Sequence, residues 1–324
     1  MTVEETAQKI KKLEIQGATN VALEAVKALE EFADKYEGES FLKEFEAKSK
    51  ILIESRPTEP MMRNGIRYVL SNIKKAKDDD TDSLREVVKS ASEKFFEYVE
   101  ESREKIANIG SKRIQNKNIV LVHCHSSTLI KILKKALDDG KVFEVINTET
   151  RPKMQGRVTA KELAQFGIPV THIVDSAVNY YMPRVDLVLV GADAITSDGS
   201  VVNKIGTSQI ALSAKKHGVP LLVASETYKF DPETAMGEQE VIEQRDPKEV
   251  WDEEVDGVQI KNPAFDITDA DYVDLIITEE GIMSPHAVYD VIRKKFPYIF
   301  ESKVKAKEPK KKKEETEKGK EKGK

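Results

Sequence analysis

One cysteine, Cys124, stands between His123 and His125 and is followed by Ser126, Ser127 and Thr128. A thiolate can serve as base or nucleophile. The hydroxyl run precedes an apolar-periodic stretch (Leu129, Ile130, Ile132, Leu133), so it reads as a helix N-terminus able to hold an anion such as phosphate. Neighbouring residues of an extended segment point to opposite faces, so His123, Cys124 and His125 do not readily share one ion. With no second cysteine and no CxxC or HExxH pattern, no metal is expected. No GxGxxG follows a strand and no Walker A run occurs, so nucleotide-cofactor redox and P-loop hydrolysis lack support and no cofactor is expected. By position alone Cys124 reads equally well as a small buried hydrophobe.

Asp193 follows Gly191 and Ala192 after a second apolar run. A carboxyl group there either caps a turn or faces a ligand at the carboxyl end of a strand. Asn203, Lys204, Gly206 and Thr207 then read as the start of the next helix, offering amide, ammonium and backbone donors to an anion. Arg56 and Lys229 add cations from separate segments, though any single cation is more often a solvated surface residue. In Ile15-Gln16-Gly17-Ala18-Thr19-Asn20 the glycine permits close approach to a ligand.

Residues 1 to about 110 carry helical periodicity, in Val21, Ala22, Ala25, Val26 and Leu29 and again in Phe41, Phe45, Ile51 and Ile53. Arg56-Pro57-Thr58 is a helix stop, and a long amphipathic stretch from Ser83 is expected to end at Gly110. Beyond it, short apolar runs recur at 119–122, 142–146, 170–174, 186–190, 220–224 and 273–277, mostly separated by helix-length segments. That alternation predicts parallel strands with crossover helices. The polar interval 225–265 is expected to pass over the ligand face. The fold class predicted is α/β, with a helical N-terminal domain (1–110) followed by a Rossmann-like parallel sheet domain (111–302) and the cleft between them.

The chain has 324 residues, 39% hydrophobic and 34% charged, and a net charge of −5. No run reaches the length of a membrane span, no signal-peptide pattern is present, and one cysteine excludes an internal disulfide framework. A cytoplasmic, reducing setting without membrane partners is expected. From Lys303 to Lys324 there are 11 Lys and 5 Glu, so this tail carries +6 and the rest −11. It lacks any apolar pattern and reads as a disordered, solubilising extension (303–324) rather than a nucleic-acid arm.

Read together, IQGATNVA (15–22), SRPT (55–58), HCHSST (123–128), TETRPKMQGRVTAKEL (148–163), VGADAITSDGSVVNKIGT (190–207), ASETYKF (224–230) and NPAFDIT (262–268) resemble one superfamily. It joins methylthioribose-1-phosphate isomerases, archaeal ribose-1,5-bisphosphate isomerases and the α, β and δ subunits of initiation factor 2B. The resemblance spans about residues 10 to 300 and is nearest to the archaeal ribose-1,5-bisphosphate isomerases, which use a Cys and an Asp where this chain has Cys124 and Asp193. It implies isomerisation of ribose 1,5-bisphosphate to ribulose 1,5-bisphosphate in nucleoside-monophosphate breakdown feeding a RuBisCO. In that reading Cys124 is the base and Asp193 the acid. Substrate contacts are implied for Arg56, Ser126, Ser127, Thr128, Asn203, Lys204, Lys229 and the loop Gln16, Gly17, Ala18 and Thr19. A dimer or a trimer of dimers is implied as well.

The base role requires a thiol that ionises readily, and the helix N-terminus is expected to lower its pKa. One position departs from the family: the isomerases tend to carry Arg-Gly-Ala-Gly where this chain has Gln16-Gly17-Ala18-Thr19. A charge-assisted hydrogen bond is worth roughly 1.5–3 kcal/mol, so Gln16 is expected to weaken phosphate binding about ten- to a hundredfold. The rival reading is a factor-2B-like regulatory subunit that binds a sugar phosphate or nucleotide without catalysis and partners initiation factor 2. A methylthioribose-1-phosphate isomerase is disfavoured, because its pocket must accept an apolar group where this chain offers Lys229 and hydroxyls.

Overall fold

A computed structural model describes residues 1–297; the tail expected over 303–324 lies outside them. Five helices come first: α1 (Val3–Lys11), α2 (Ala18–Asp34), α3 (Phe41–Ser55), α4 (Pro60–Lys75) and α5 (Thr81–Ser111). Local chemistry sets their starts. Thr2 and Glu5 form a reciprocal capping box on α1, and the Asp80 side chain accepts from Ser83 N at the start of α5. The central α2 buries Val21, Ala22, Ala25, Val26 and Leu29 and packs against α4 and α5. On α3 the buried stripe is Phe41, Phe45, Ser49 and Leu52. Ile51, expected inside, is 37% exposed and Ile53 only half-buried. The buried stripe runs from Phe41 through Phe45 and Ser49 in steps of four and then three to Leu52, which leaves Ile51 off that face and Ile53 at its edge.

Gly110 does not end the long helix as expected but lies buried within α5. A Cβ there would stand 2.8 Å from the side chain of Ile132, so the glycine lets the next helix approach rather than stopping this one.

The remainder builds β1 (Ile119–Val122), α6 (Ser127–Asp138), β2 (Glu144–Thr148), α7 (Gly156–Gln165), β3 (Val170–Ile173), α8 (Val178–Tyr181), β4 (Leu187–Val190), β5 (Ala194–Ile195), β6 (Val201–Lys204), α9 (Thr207–His217), β7 (Leu221–Ala224), β8 (Phe265–Thr268), β9 (Leu275–Thr278), β10 (Gly281–Met283) and α10 (Val288–Lys295). Seven strands form one sheet in the order β10-β9-β7-β4-β1-β2-β3, parallel except for β10. Strands β4 and β7 are buried throughout and β1 nearly so, as a parallel sheet covered on both faces requires. From β1 the chain builds outward first through β2 and β3, then on the other side through β4, β7 and β9. The sheet therefore reverses direction between β1 and β4, where open α/β sheets bind ligands.

A second, three-stranded antiparallel sheet, β5-β6-β8, was not anticipated. Asn203 and Lys204, expected at a helix start, end β6 instead; α9 begins only at Thr207, after Gly206. Main-chain pairing with Phe265 and Asp266, some sixty residues on, holds them extended.

Candidate active site

The loops after β1 and β4 open into a cavity of about 340 Å³ that all thirteen sequence-predicted site residues line. Gln16, Gly17, Ala18, Thr19 and Arg56 come from the helical half. Cys124, Ser126, Ser127, Thr128, Asp193, Asn203, Lys204 and Lys229 come from the sheet half. Gln155, Arg245 and Phe265 line it too and were not assigned to it from the sequence. Arg245 belongs to the polar excursion expected over the ligand face.

Cys124 sits in the left-handed region, φ 67°, uncommon for a residue with a side chain. Two threonines hold it there. Its N–H donates to Thr150 Oγ1 at 3.0 Å, and its carbonyl accepts from the Thr159 hydroxyl at 2.9 Å. The flanking imidazoles are engaged with protein. His123 is buried, and Ile205 O, 3.0 Å from Nε2, can only accept, so Nε2 carries the proton and Nδ1 accepts from Thr148 Oγ1 at 2.6 Å. His125 Nδ1 lies 3.1 Å from Thr159 Oγ1. Burial holds both imidazoles below their ordinary pKa, favouring the neutral ring.

The expected lowering of the thiol pKa is overturned. Burial pushes the half-buried Cys124 up to about 11; Lys204 opposes this, while Asp193 and Asp175 add to it. The thiolate is desolvated more than the nearby cation compensates. Asp193 is half-buried three residues past β4, its N–H bonded to Val202 O at 2.9 Å.

The hydroxyl run is divided. Ser126 is the N-cap of α6, its Oγ accepting from Leu129 N at 3.5 Å; Ser127 is exposed; Thr128 is buried and donates to Glu226 Oε1 at 2.9 Å. The same carboxylate holds Lys229 Nζ at 3.0 Å. Burial pushes Glu226 up, but Lys229, the backbone and Thr128 outweigh it and keep the group below the usual carboxylate range. Lys229 is held above its ordinary value, because Glu226 and Asp193 outweigh its burial. Asn64 of α4 fixes the short turn carrying Lys229, donating to Tyr228 O and Phe230 O, each at 2.9 Å.

Arg56 is built alike. It caps α3, and its Nη1 lies 3.0 Å from Glu59 Oε1, with Glu243 at 3.5 Å. Burial opposes its charge, yet Glu59, Glu243 and Asp193 outweigh it and raise its pKa. Lys204 differs: its Nζ stands 4.8 Å above the Phe265 ring, and among the described residues no carboxylate pairs with it. The sequence reading missed Glu59 and gave Glu226 no role. Each stands three residues from a cation it holds, a spacing at which side chains meet on a single turn.

The arrangement brings a thiol, a carboxyl group and four cations (Arg56, Lys204, Lys229 and Arg245) to one cavity. That set suits proton transfer on a small anion bearing phosphate or carboxylate groups.

A sequence profile described as the Initiation factor 2 subunit family matches residues 14–285. The chain is 46% identical to the ribose 1,5-bisphosphate isomerase of Thermococcus kodakarensis, over 91% of this chain and 95% of that protein. It is 44% identical to the enzyme of the same name from Pyrococcus furiosus, over 91% and 94%. Among solved structures it resembles the translation initiation factor eIF-2B of Pyrococcus horikoshii, with a TM-score of 0.77, 30% identity, and coverage of 87% of this chain and 97% of that one.

Proposed function

Because the chain belongs to the Initiation factor 2 subunit family, we propose the following reading of its cavity. The protein is an isomerase that converts α-D-ribose 1,5-bisphosphate to ribulose 1,5-bisphosphate, in line with its 44–46% identity to enzymes of that name. The observation that carries the chemistry is the exit of Cys124 and Asp193 from neighbouring strands, β1 and β4, into a single cation-lined cavity at the reversal of the sheet.

In this reading Arg56, Lys204 and Lys229 take the phosphates, while Ser126, Ser127 and Asn203 meet hydroxyls or phosphate oxygens. The Asp193 carboxylic acid gives its proton to the ring oxygen as the C1–O bond opens. The Cys124 thiolate removes the C2 proton, and the electron pair forms a C1–C2 double bond. The Cys124 thiol returns that proton at C1, the Asp193 carboxylate takes the proton of the C2 hydroxyl, and the ketone results. Acid–base assistance of this kind contributes typically about 10²–10⁴-fold. Thr128 is assigned to orientation, since its hydroxyl already serves Glu226.

The proposal also includes a place in nucleoside-monophosphate breakdown, a symmetric homo-oligomer, and a helical unit (1–110) distinct from a sheet unit that begins at 111, whose expected end at 302 lies outside the described residues. Light scattering and limited proteolysis test the last two. Among the described residues no helix is long and apolar enough to cross a membrane.

The test of activity is incubation of the purified protein with ribose 1,5-bisphosphate, followed by phosphorus NMR. Appearance of ribulose 1,5-bisphosphate, lost in Cys124→Ser, is the expected result. Saturable sugar-phosphate binding without turnover would replace this reading with that of a regulatory subunit.

A further inference from the structure

Two buried carboxylates stand behind the cations of the cavity, and they are not equivalent. Glu226 receives a hydrogen bond from Thr128 on one oxygen and faces Lys229 with the other. Among the described residues the carboxylate of Glu59, 0% exposed, has only an ion pair with Arg56, and neither of its oxygens meets a donor in hydrogen-bonding geometry. It also competes, since Arg56 faces Glu243 as well. The charged groups acting on Glu59 are Arg56 and Lys229, which favour its ionised form, and Asp193 and Glu243, which disfavour it.

A sugar bisphosphate brings up to about four further negative charges. Once a phosphate pairs with Arg56, an ionised Glu59 is left desolvated beside an anion, with its only direct partner shared. Burying an unpaired charge is among the costliest arrangements in a protein, and such a group neutralises instead.

Granting the bisphosphate reading above, we propose that Glu59 is a positioning residue that takes up a proton from solvent as substrate phosphate pairs with Arg56. One O–H bond forms on the carboxylate, the proton comes from water or buffer, and a carboxylate–guanidinium pair is exchanged for a phosphate–guanidinium pair. No group is oxidised or reduced. The ion pair is already poised for the exchange: burial pushes Glu59 up to about 7 even with Arg56 opposing. Phosphate adds to the upward push, and its claim on Arg56 weakens the opposition.

The experiment is calorimetric titration of ribose 1,5-bisphosphate into the Cys124→Ser protein, in which turnover is slowed about 10³-fold, at pH 8 in buffers of different ionisation enthalpy. The sugar phosphates are then fully dianionic and take no part. Uptake of about 0.9 proton per site is expected, from a group that is about one-tenth protonated before binding. With Glu59→Gln added, uptake falls to near zero. From pH 7.5 to 8.5 the parent's Kd weakens roughly eightfold, whereas the Gln variant, a neutral mimic, stays flat and binds more tightly at the upper end. A merely structural role would weaken binding equally at every pH. Full uptake in the Gln variant, or a flat Kd in the parent, overturns the proposal; the second measurement decides even if the variant does not fold. Failure of the unsubstituted protein to bind the bisphosphate overturns the substrate reading as well, so the two failures are distinguishable.

Discussion

The two walls of the cavity are built differently. On the sheet side each reactive group is tied across long stretches of sequence: Cys124 to Thr150 and Thr159, Asp193 to Val202, Lys229 through Glu226 to Thr128. On the helical side the loop before α2 bonds mainly to itself. Gln16 is exposed and donates to Leu13 O at 2.6 Å, Asn20 donates to Gln16 O, and Gly17 starts α2 at φ 83° without a side-chain cap. A residue held by distant partners cannot move without disturbing them, whereas one bonded within four positions can be exchanged at little cost. Chemistry is therefore expected on the cross-linked wall and adjustable substrate affinity on the self-contained loop before α2, whereas Arg56 of the same half is tied across the chain to Glu243.

The sharpest way to break that contrast is the reactive pair. Cys124→Ser and Asp193→Asn should each lower kcat by about 10³-fold, within the usual range for acid–base groups, with substrate Kd nearly unchanged. Steady-state kinetics beside equilibrium binding checks this, and a near-normal rate in either removes that residue from the mechanism.

The next effect is on pH. With the thiol pushed up to about 11, the thiolate fraction grows about tenfold per pH unit below that value. Alkylation of Cys124 by iodoacetamide should therefore speed up about a hundredfold from pH 7 to 9, and kcat at saturating substrate should climb in the same direction. A plateau near pH 7 would mean that the cations of the cavity outweigh burial.

Smaller still is the loss of a cross-link. Glu226→Ala frees both Lys229 and Thr128, and the charge-assisted bonds removed are worth roughly 1.5–3 kcal/mol, so kcat/KM should fall about ten- to a hundredfold. Glu226→Gln, which keeps an acceptor for Thr128, should recover part of it. The self-contained wall gives the mildest change. Gln16→Arg should lower KM about tenfold with kcat unchanged, the lower end of what a charge-assisted bond supplies. An altered kcat there would show that the rim also governs the chemistry.

Much of the fold and of the site is legible in the sequence. Runs such as Ile119–Val122 and Leu187–Val190 are apolar because strands inside a covered parallel sheet have no solvent face, and hydroxyls at 126–128 mark a helix start in any context. Ordered motifs point to all thirteen candidate residues, and the fold gathers them around one cavity. The second sheet is not legible, because Val201–Lys204 is four residues long and its partner Phe265–Thr268 lies far along the chain. Nor is the state of Cys124: the helix start beside it is local and visible, while its desolvation comes from the surrounding walls.

The sequence by itself determined the long helices, most strands of the large sheet and the side chains at their ends, since periodicity and capping act over a few residues; the small second sheet was not among them. Only the tertiary structure decided the electrostatics: that Glu59 and Glu226 back two of the cations, that Lys204 faces Phe265 with no carboxylate paired to it among the described residues, and that the thiol is pushed up. Desolvation and charge pairing depend on everything packed within several ångströms, and that set is assembled from residues 13 to 265.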